Sequence, residues 1–280
     1  MGATSAIKTN TLEVPGASLY YEVRGSGPVL LMMPGGPADA ATLRRIEDDL
    51  ASTYTVVTYD PRGLSHSKLN EPLDDSRMVQ IFADDVHRLL ATLTDTKANV
   101  FASSGGATIV LELAARHPEQ LDTVVVHEPP SPDLLPNSEE TRAAMEDVCD
   151  THDSEGLWAA AHKFMVLIGI QGGPPPAPEG VPTPETLEAQ AMMQQNMEFF
   201  FGRYIRNIAR YRPDFAALKA CSCRIVPAVG EDSRGQLAHE GGLGLARRLG
   251  REAAVFPGDH SGFDGRPVEF AAKLRKVLEG

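Results

Sequence analysis

The sequence predicts an α/β chain: a mostly parallel, doubly wound sheet with a helical insertion. Three observations carry this. Short, unalternating apolar runs recur, such as Val29 to Met33 and Thr123 to Val126, and such runs fit strands buried on both faces. Helical stripes stand between them, the clearest being Ile81, Phe82, Val86, Leu89, Leu90 and Leu93. Strands alternating with helices build a parallel sheet covered on both sides. Finally, the alternation breaks once, over Ser131 to about Ala220, where prolines, methionines and acidic helical stretches take over.

In order, Thr11 to Val23 holds two short alternating runs around Pro15 and Gly16, a hairpin signature. The Val29–Met33 strand ends in Pro34-Gly35-Gly36-Pro37, whose glycines allow close approach to a ligand. Ala41 to Leu50 reads as a helix and Thr53 to Tyr59 as a strand, which runs into Asp60 to Ser67. Met78 to Leu93 is the striped helix. Asn99 to Ala107 follows, an apolar strand entering a Ser/Gly turn and a helix leaving it. Asp122 to Val126 is another strand, ending at His127-Glu128-Pro129-Pro130.

In the insertion, Asn137 with Glu140 has the spacing of a capping box. Gln171 to Pro184 is a Gly/Pro linker without helical period. Thr183 before Pro184 marks a helix start. Met192, Met193, Met197, Phe199, Phe200, Phe201, Tyr204 and Ile205 form a dense apolar cluster. Most such clusters are core, but pliable Met and flat aromatics also suit a small-molecule pocket. Met193, Met197, Phe200 and Tyr204 are the expected pocket residues. Regular order then resumes with a strand over Cys223 to Val229, a helix over Leu237 to Leu249, a strand over Glu252 to Phe256 and a helix over Pro267 to Leu278.

Composition narrows the function. At 280 residues, with 42% hydrophobic and 23% charged content, the chain can bury a sizeable core. Its net charge of −12 repels phosphate backbones, so nucleic acid is not an expected partner. No apolar run approaches the roughly 20 residues of a membrane span, and Met1 to Asn10 lacks a signal-peptide core. Cys149, Cys221 and Cys223 make neither a disulfide framework nor a metal site. These features favour a cytoplasmic setting, no cofactor and no metal.

The turn at Ala102-Ser103-Ser104-Gly105-Gly106 reads small-x-Ser-x-small, a nucleophile elbow with alanine at the first small position. A sharp strand-to-helix turn needs small flanks and lifts one serine to the helix N-terminus. Ala102 and Gly106 frame Ser104, which makes it the candidate nucleophile. A Ser/Gly loop that only caps a helix would look alike at this level.

Together with Pro34 to Pro37, Asp60-x-Arg62-Gly63-x-Ser65-x-Ser67 and Gly258-x-His260, the elbow makes the chain resemble the α/β-hydrolase superfamily over nearly its whole length. The resemblance implies the α/β-hydrolase fold and a Ser–acid–His triad. It divides the chain into a core, 1–130 and 221–280, and a cap, 131–220. It also implies oxyanion donors at Gly36 and Gly105. His260 is the expected base; His66, His87, His117, His152, His162 and His239 lie on expected helices or exposed loops, and most of them are expected bystanders. For the acid, relatives generally use the third residue after the glycine ending the penultimate strand, which here is Ser233. Asp232 is the nearest carboxylate there. Glu128 is the preferred candidate, because His127-Glu128-x-Pro130 is similar to zearalenone lactone hydrolases.

The expected function is a serine hydrolase acting on a small apolar ester or lactone through an acyl-enzyme. Carbon–carbon bond hydrolysis, thioester cleavage and cofactor-free perhydrolysis use the same triad, and a ligand receptor could use the same fold. A homodimer is compatible with these features.

Overall fold

The computed structural model describes residues 6–169 and 183–280. Its strands are β1 (Lys8–Val14), β2 (Ala17–Gly25), β3 (Val29–Met33), β4 (Thr55–Tyr59), β5 (Lys68–Leu69), β6 (Ala98–Ser103), β7 (Leu121–His127), β8 (Arg224–Gly230) and β9 (Ala254–Phe256). They form one sheet in the order β1-β2-β4-β3-β6-β7-β8-β9, with β5 beside β2. From β4 to β9 every pairing is parallel; β1 and β2 are an antiparallel hairpin on one edge. The hairpin turns at Pro15 and Gly16, as the alternation around them predicts.

The helices are α1 (Arg44–Ala51), α2 (Met78–Leu93), α3 (Ser104–Arg116), α4 (Ser138–Glu155), α5 (Leu157–Ile168), α6 (Pro184–Phe199), α7 (Ile205–Arg210), α8 (Phe215–Ala220), α9 (Leu237–Leu249), α10 (Gly262–Gly265) and α11 (Pro267–Glu279). Successive side chains of a strand face opposite ways, so each central strand feeds two cores. Leu31, Met33, Val100, Ala102, Val124 and Val126 pack with Phe82, Val86, Ile109 and Val110 of α2 and α3. Leu30, Met32, Phe101 and Val125 pack with Ile46 and Leu50 of α1 and Phe270 and Leu274 of α11. This is why the buried strands read as unbroken apolar runs.

Helices α4 to α8 fall between β7 and β8. Met145, Val148, Leu157, Phe200, Tyr204 and Ile205 join the same core as α2 and α3. Thr183 caps α6 as expected, its side chain accepting from the Thr186 N–H. Asn137 does not cap α4. Its backbone, at φ −102° and ψ 47°, lies outside the extended region that aims a capping side chain at the helix, and no capping-box bond forms. The Gln171–Pro184 linker lies outside the described residues except for its last two positions. No described helix is long and apolar enough to cross a membrane.

Candidate active site

Strand β6 ends at Ser103 and α3 begins at Ser104, whose φ is +54°. That left-handed backbone is strained for a residue with a Cβ. The turn is packed too tightly for larger neighbours. A Cβ on Gly106 would lie 2.3 Å from the Pro34 carbonyl oxygen, and one on Gly35 would lie 2.5 Å from the Ser104 Cβ. Ala102 is fully buried between β3 and β7. Ser103 is buried, with its Oγ 3.5 Å from His127 Nδ1. Ser104 is only half-buried and lines a cavity together with Gly35, Gly36, Gly105 and His260.

Glu128 follows the end of β7 and has no exposure to solvent. Its Oε2 lies 2.6 Å from His260 Nδ1. Its Oε1 accepts the Gly230 N–H at 2.8 Å and the Ser233 hydroxyl. Burial alone would raise the carboxyl. The His260 hydrogen bond, the neighbouring His127 and His260 rings and the Ser233 hydroxyl outweigh it and hold the group at about 2. Its backbone φ of +51° makes Glu128, with Ser65 and Ser104, one of the non-glycine residues at positive φ among the described residues.

Asp232, the other candidate acid, is exposed, and its N–H bonds to the Gly258 carbonyl at 3.0 Å. The side chain that reaches Glu128 from this loop belongs to Ser233. The serine at the position where the resemblance would place an acid thus donates to a carboxylate that follows another strand.

Two further histidines lie beside Glu128. His239, expected as a bystander, is buried at the start of α9, with Nδ1 3.2 Å from Ser233 Oγ and 3.6 Å from Glu128 Oε1. His127 is wholly buried against Phe101, Phe256 and Phe270, and its Nε2 has no partner among the described residues. Burial lowers it to about 4. Donor atoms of His127, Glu128 and His260 lie within 4.8 Å of one another. Both carboxylate oxygens already accept from N–H and O–H donors, and the His127 ring hydrogen-bonds to neither Glu128 nor His260.

The cavity has a volume of about 540 Å³. Phe200 and Tyr204 line it. Met193 and Met197 do not: Met193 is 46% exposed, and Met197 packs against the core edge without reaching the cavity. Helix α6 carries no continuous apolar stripe, so spacing alone could not orient it. The wall comes instead from Met145 of α4, Phe164, Leu167 and Ile168 of α5, Ile205 and Ile208 of α7, and Leu237 and Phe263. The stripe Leu157, Ala160, Phe164, Leu167 was a readable signal for α5. Also unforeseen was Asn196, the one buried residue of α6. Its Oδ1 accepts the Ser65 N–H at 2.8 Å, and its Nδ2 donates to Ser65 Oγ and to the Pro37 carbonyl.

A sequence profile for the alpha/beta hydrolase fold matches residues 28–152. An uncharacterised hydrolase of Bacillus subtilis, YraK, is 38% identical across 98% of this chain and 97% of its own. The chain belongs to the α/β-hydrolase superfamily. A zearalenone hydrolase of Cladophialophora bantiana is 29% identical to this α/β-hydrolase over 48% of the chain and 52% of its own length. Among solved structures, a thermophilic esterase from Thermogutta terrifontis covers 99% of the chain, and the chain 98% of it, with TM-score 0.71 and 19% identity. An enol-lactonase from Burkholderia xenovorans has TM-score 0.68 and 18% identity over 97% of this chain and 100% of its own. These structural likenesses extend the shared fold to the whole described α/β-hydrolase, helices between β7 and β8 included.

Proposed function

We propose that this α/β-hydrolase is a serine hydrolase of uncharged, apolar carboxylic esters, lactones included, working through an acyl-enzyme. The observation that carries the reading is the Glu128–His260 contact of 2.6 Å opening onto the cavity that holds Ser104. Glu128 Oε2 accepts from Nδ1–H of the neutral imidazole, which leaves Nε2 as the free base. His260 then takes the Ser104 proton and returns it to the leaving oxygen. The Ser104 hydroxyl makes no hydrogen bond to a described side chain, and contacts of this kind commonly close only with substrate bound. The Gly36 and Gly105 N–H groups, at the positive end of α3, stabilise the oxyanion.

The division into a core, 1–130 and 221–280, and a cap, 131–220, belongs to this reading; it is supported by described residues of α4, α5, α7 and the Phe200–Tyr204 turn, which line one wall of the cavity. Its apolar wall and the chain's net charge of −12 favour neutral small molecules over anions and nucleic acid. The lactone part of the reading leans on the names of two similar proteins, the zearalenone hydrolase and the enol-lactonase. Hydrolysis should be screened across acyl esters, lactones and thioesters, beside fluorophosphonate labelling. Turnover and labelling should vanish in Ser104→Ala and persist in Ser103→Ala. Labelling without any ester or lactone turnover would move the substrate class. No labelling of the wild type would make the fold a receptor.

A further inference from the structure

Helix α6 does not pass directly into α7. Between them lies one π-helical turn, Phe200–Tyr204, a widened turn of the kind that often marks functional sites. This turn sets two rings against the two glycines assigned above to the oxyanion. A Cβ on Gly36 would stand 3.8 Å from the edge of the Phe200 ring. One on Gly105 would stand 2.7 Å from both Cε1 and Oη of Tyr204. The Tyr204 hydroxyl therefore lies directly over the residue after the nucleophile.

Tyr204 is 2% exposed, packed between Phe82 and Phe200. Its ring is accounted for; its hydroxyl is not. It makes no hydrogen bond to any described residue, and it is not among the fully sealed polar atoms without a partner, so the hydroxyl opens to the cavity that Tyr204 lines. Burial also raises the phenol well above its ordinary value, so it keeps its proton at any working pH. Tyr59, a second buried phenol whose charge would be felt at Tyr204, does not line the cavity; Tyr204 does. The unpaired donor thus faces the space where substrate sits.

We propose that Tyr204 is a catalytic residue, its O–H donating a third hydrogen bond to the substrate oxygen that becomes charged. The inference rests on the serine-hydrolase reading. Ser104 Oγ bonds to the acyl carbon, its proton passes to His260 Nε2, and the C=O π pair moves onto the oxygen. Gly36 N–H, Gly105 N–H and Tyr204 O–H share that charge, and Tyr204 keeps its proton. The pair then returns, the bond to the leaving oxygen breaks, and His260 delivers the proton to it. The donor arrives on the cap side of the cavity, so the oxyanion site is complete only with the π-turn in place.

Tyr204→Phe keeps the ring and removes the donor. Its kcat should fall about 10²–10³-fold with KM nearly unchanged, as for other single oxyanion donors. The rate of fluorophosphonate labelling and the affinity for a trifluoromethyl ketone, which forms an oxyanion on the serine, should fall in parallel. Melting temperature should hold. If wild type is active, Ser104→Ala is dead and Tyr204→Phe labels and turns over at the wild-type rate, the Tyr204 inference alone is wrong. A parallel loss of melting temperature, with ketone affinity intact, would assign Tyr204 to packing and also overturn it. An active Ser104→Ala would sink the serine-hydrolase reading itself.

Discussion

Glu128 is held by bonds from opposite directions, and the division of labour between its oxygens has consequences. Oε1 is pinned by Gly230 and Ser233, which aims Oε2 at His260. Glu128→Gln should lower kcat by several orders of magnitude with the fold intact, because the imidazolium loses its counter-charge. Ser233→Ala should cost about tenfold, the scale of one charge-assisted hydrogen bond, whereas Asp232→Asn should leave steady-state rates unchanged. His127 supplies a pH effect. It is held at about 4 inside the fold against 6.5 for the free side chain. The unfolded chain therefore binds a proton that the folded chain refuses, and stability falls as pH drops from 6.5 towards 4. Glu128, depressed to about 2 from 4.5, contributes stability that is present above 4.5 and lost only below it. In thermal melts His127→Phe should flatten the decline between pH 6.5 and 4 and leave the lower limb as it is; parallel curves would mean that His127 does not titrate on unfolding. The elbow and Glu128 were legible because sterics and resemblance both speak through adjacent residues. Ser233 and His239 were not, because their contacts with Glu128 join positions more than a hundred residues apart in sequence, with no motif to link them.

At the scale of elements, α6 is attached in an unusual way. Its exposed positions include Met193 and Leu187, and its single buried residue is polar. Asn196 ties the helix to the loop after β3, through Pro37, and to the loop after β4, through Ser65. Ser65 in turn donates to Asp39, and Asp60 accepts the N–H groups of Ala40 and His66. The Asp60-x-Arg62-Gly63-x-Ser65 stretch is thus a clamp that braces the Gly36 loop, and Arg62 anchors it to α2 through a buried bidentate pair with Asp85. Asn196→Ala should speed amide exchange along α6 about tenfold or more while β6 and β7 stay protected, since one buried polar side chain carries the attachment. Equal exchange in variant and wild type would show that the apolar neighbours suffice. Periodicity exposed α2, α3 and α9, whose buried faces are regular. It failed at α6 because a helix held by an amide leaves no stripe.

For the whole molecule, the fold was readable from sequence because every central strand is covered on both faces and so appears as an uninterrupted apolar run. The placement of α4 to α8 was not readable, since it depends on side-chain contacts between helices that share no short-range pattern. The lining of the cavity depends on the same contacts, so the sequence singled out Phe200 and Tyr204 but not Phe164 and Met145. One feature of the elbow reaches beyond catalysis. Ser104 sits at a φ of +54°, a conformation that costs an ordinary residue about 1–2 kcal/mol and glycine almost none. Selection of this protein for heat resistance, without an assay for turnover, is therefore biased toward Ser104→Gly: a better-folded enzyme that no longer works. Any stabilisation campaign on this scaffold has to count activity survivors rather than soluble ones.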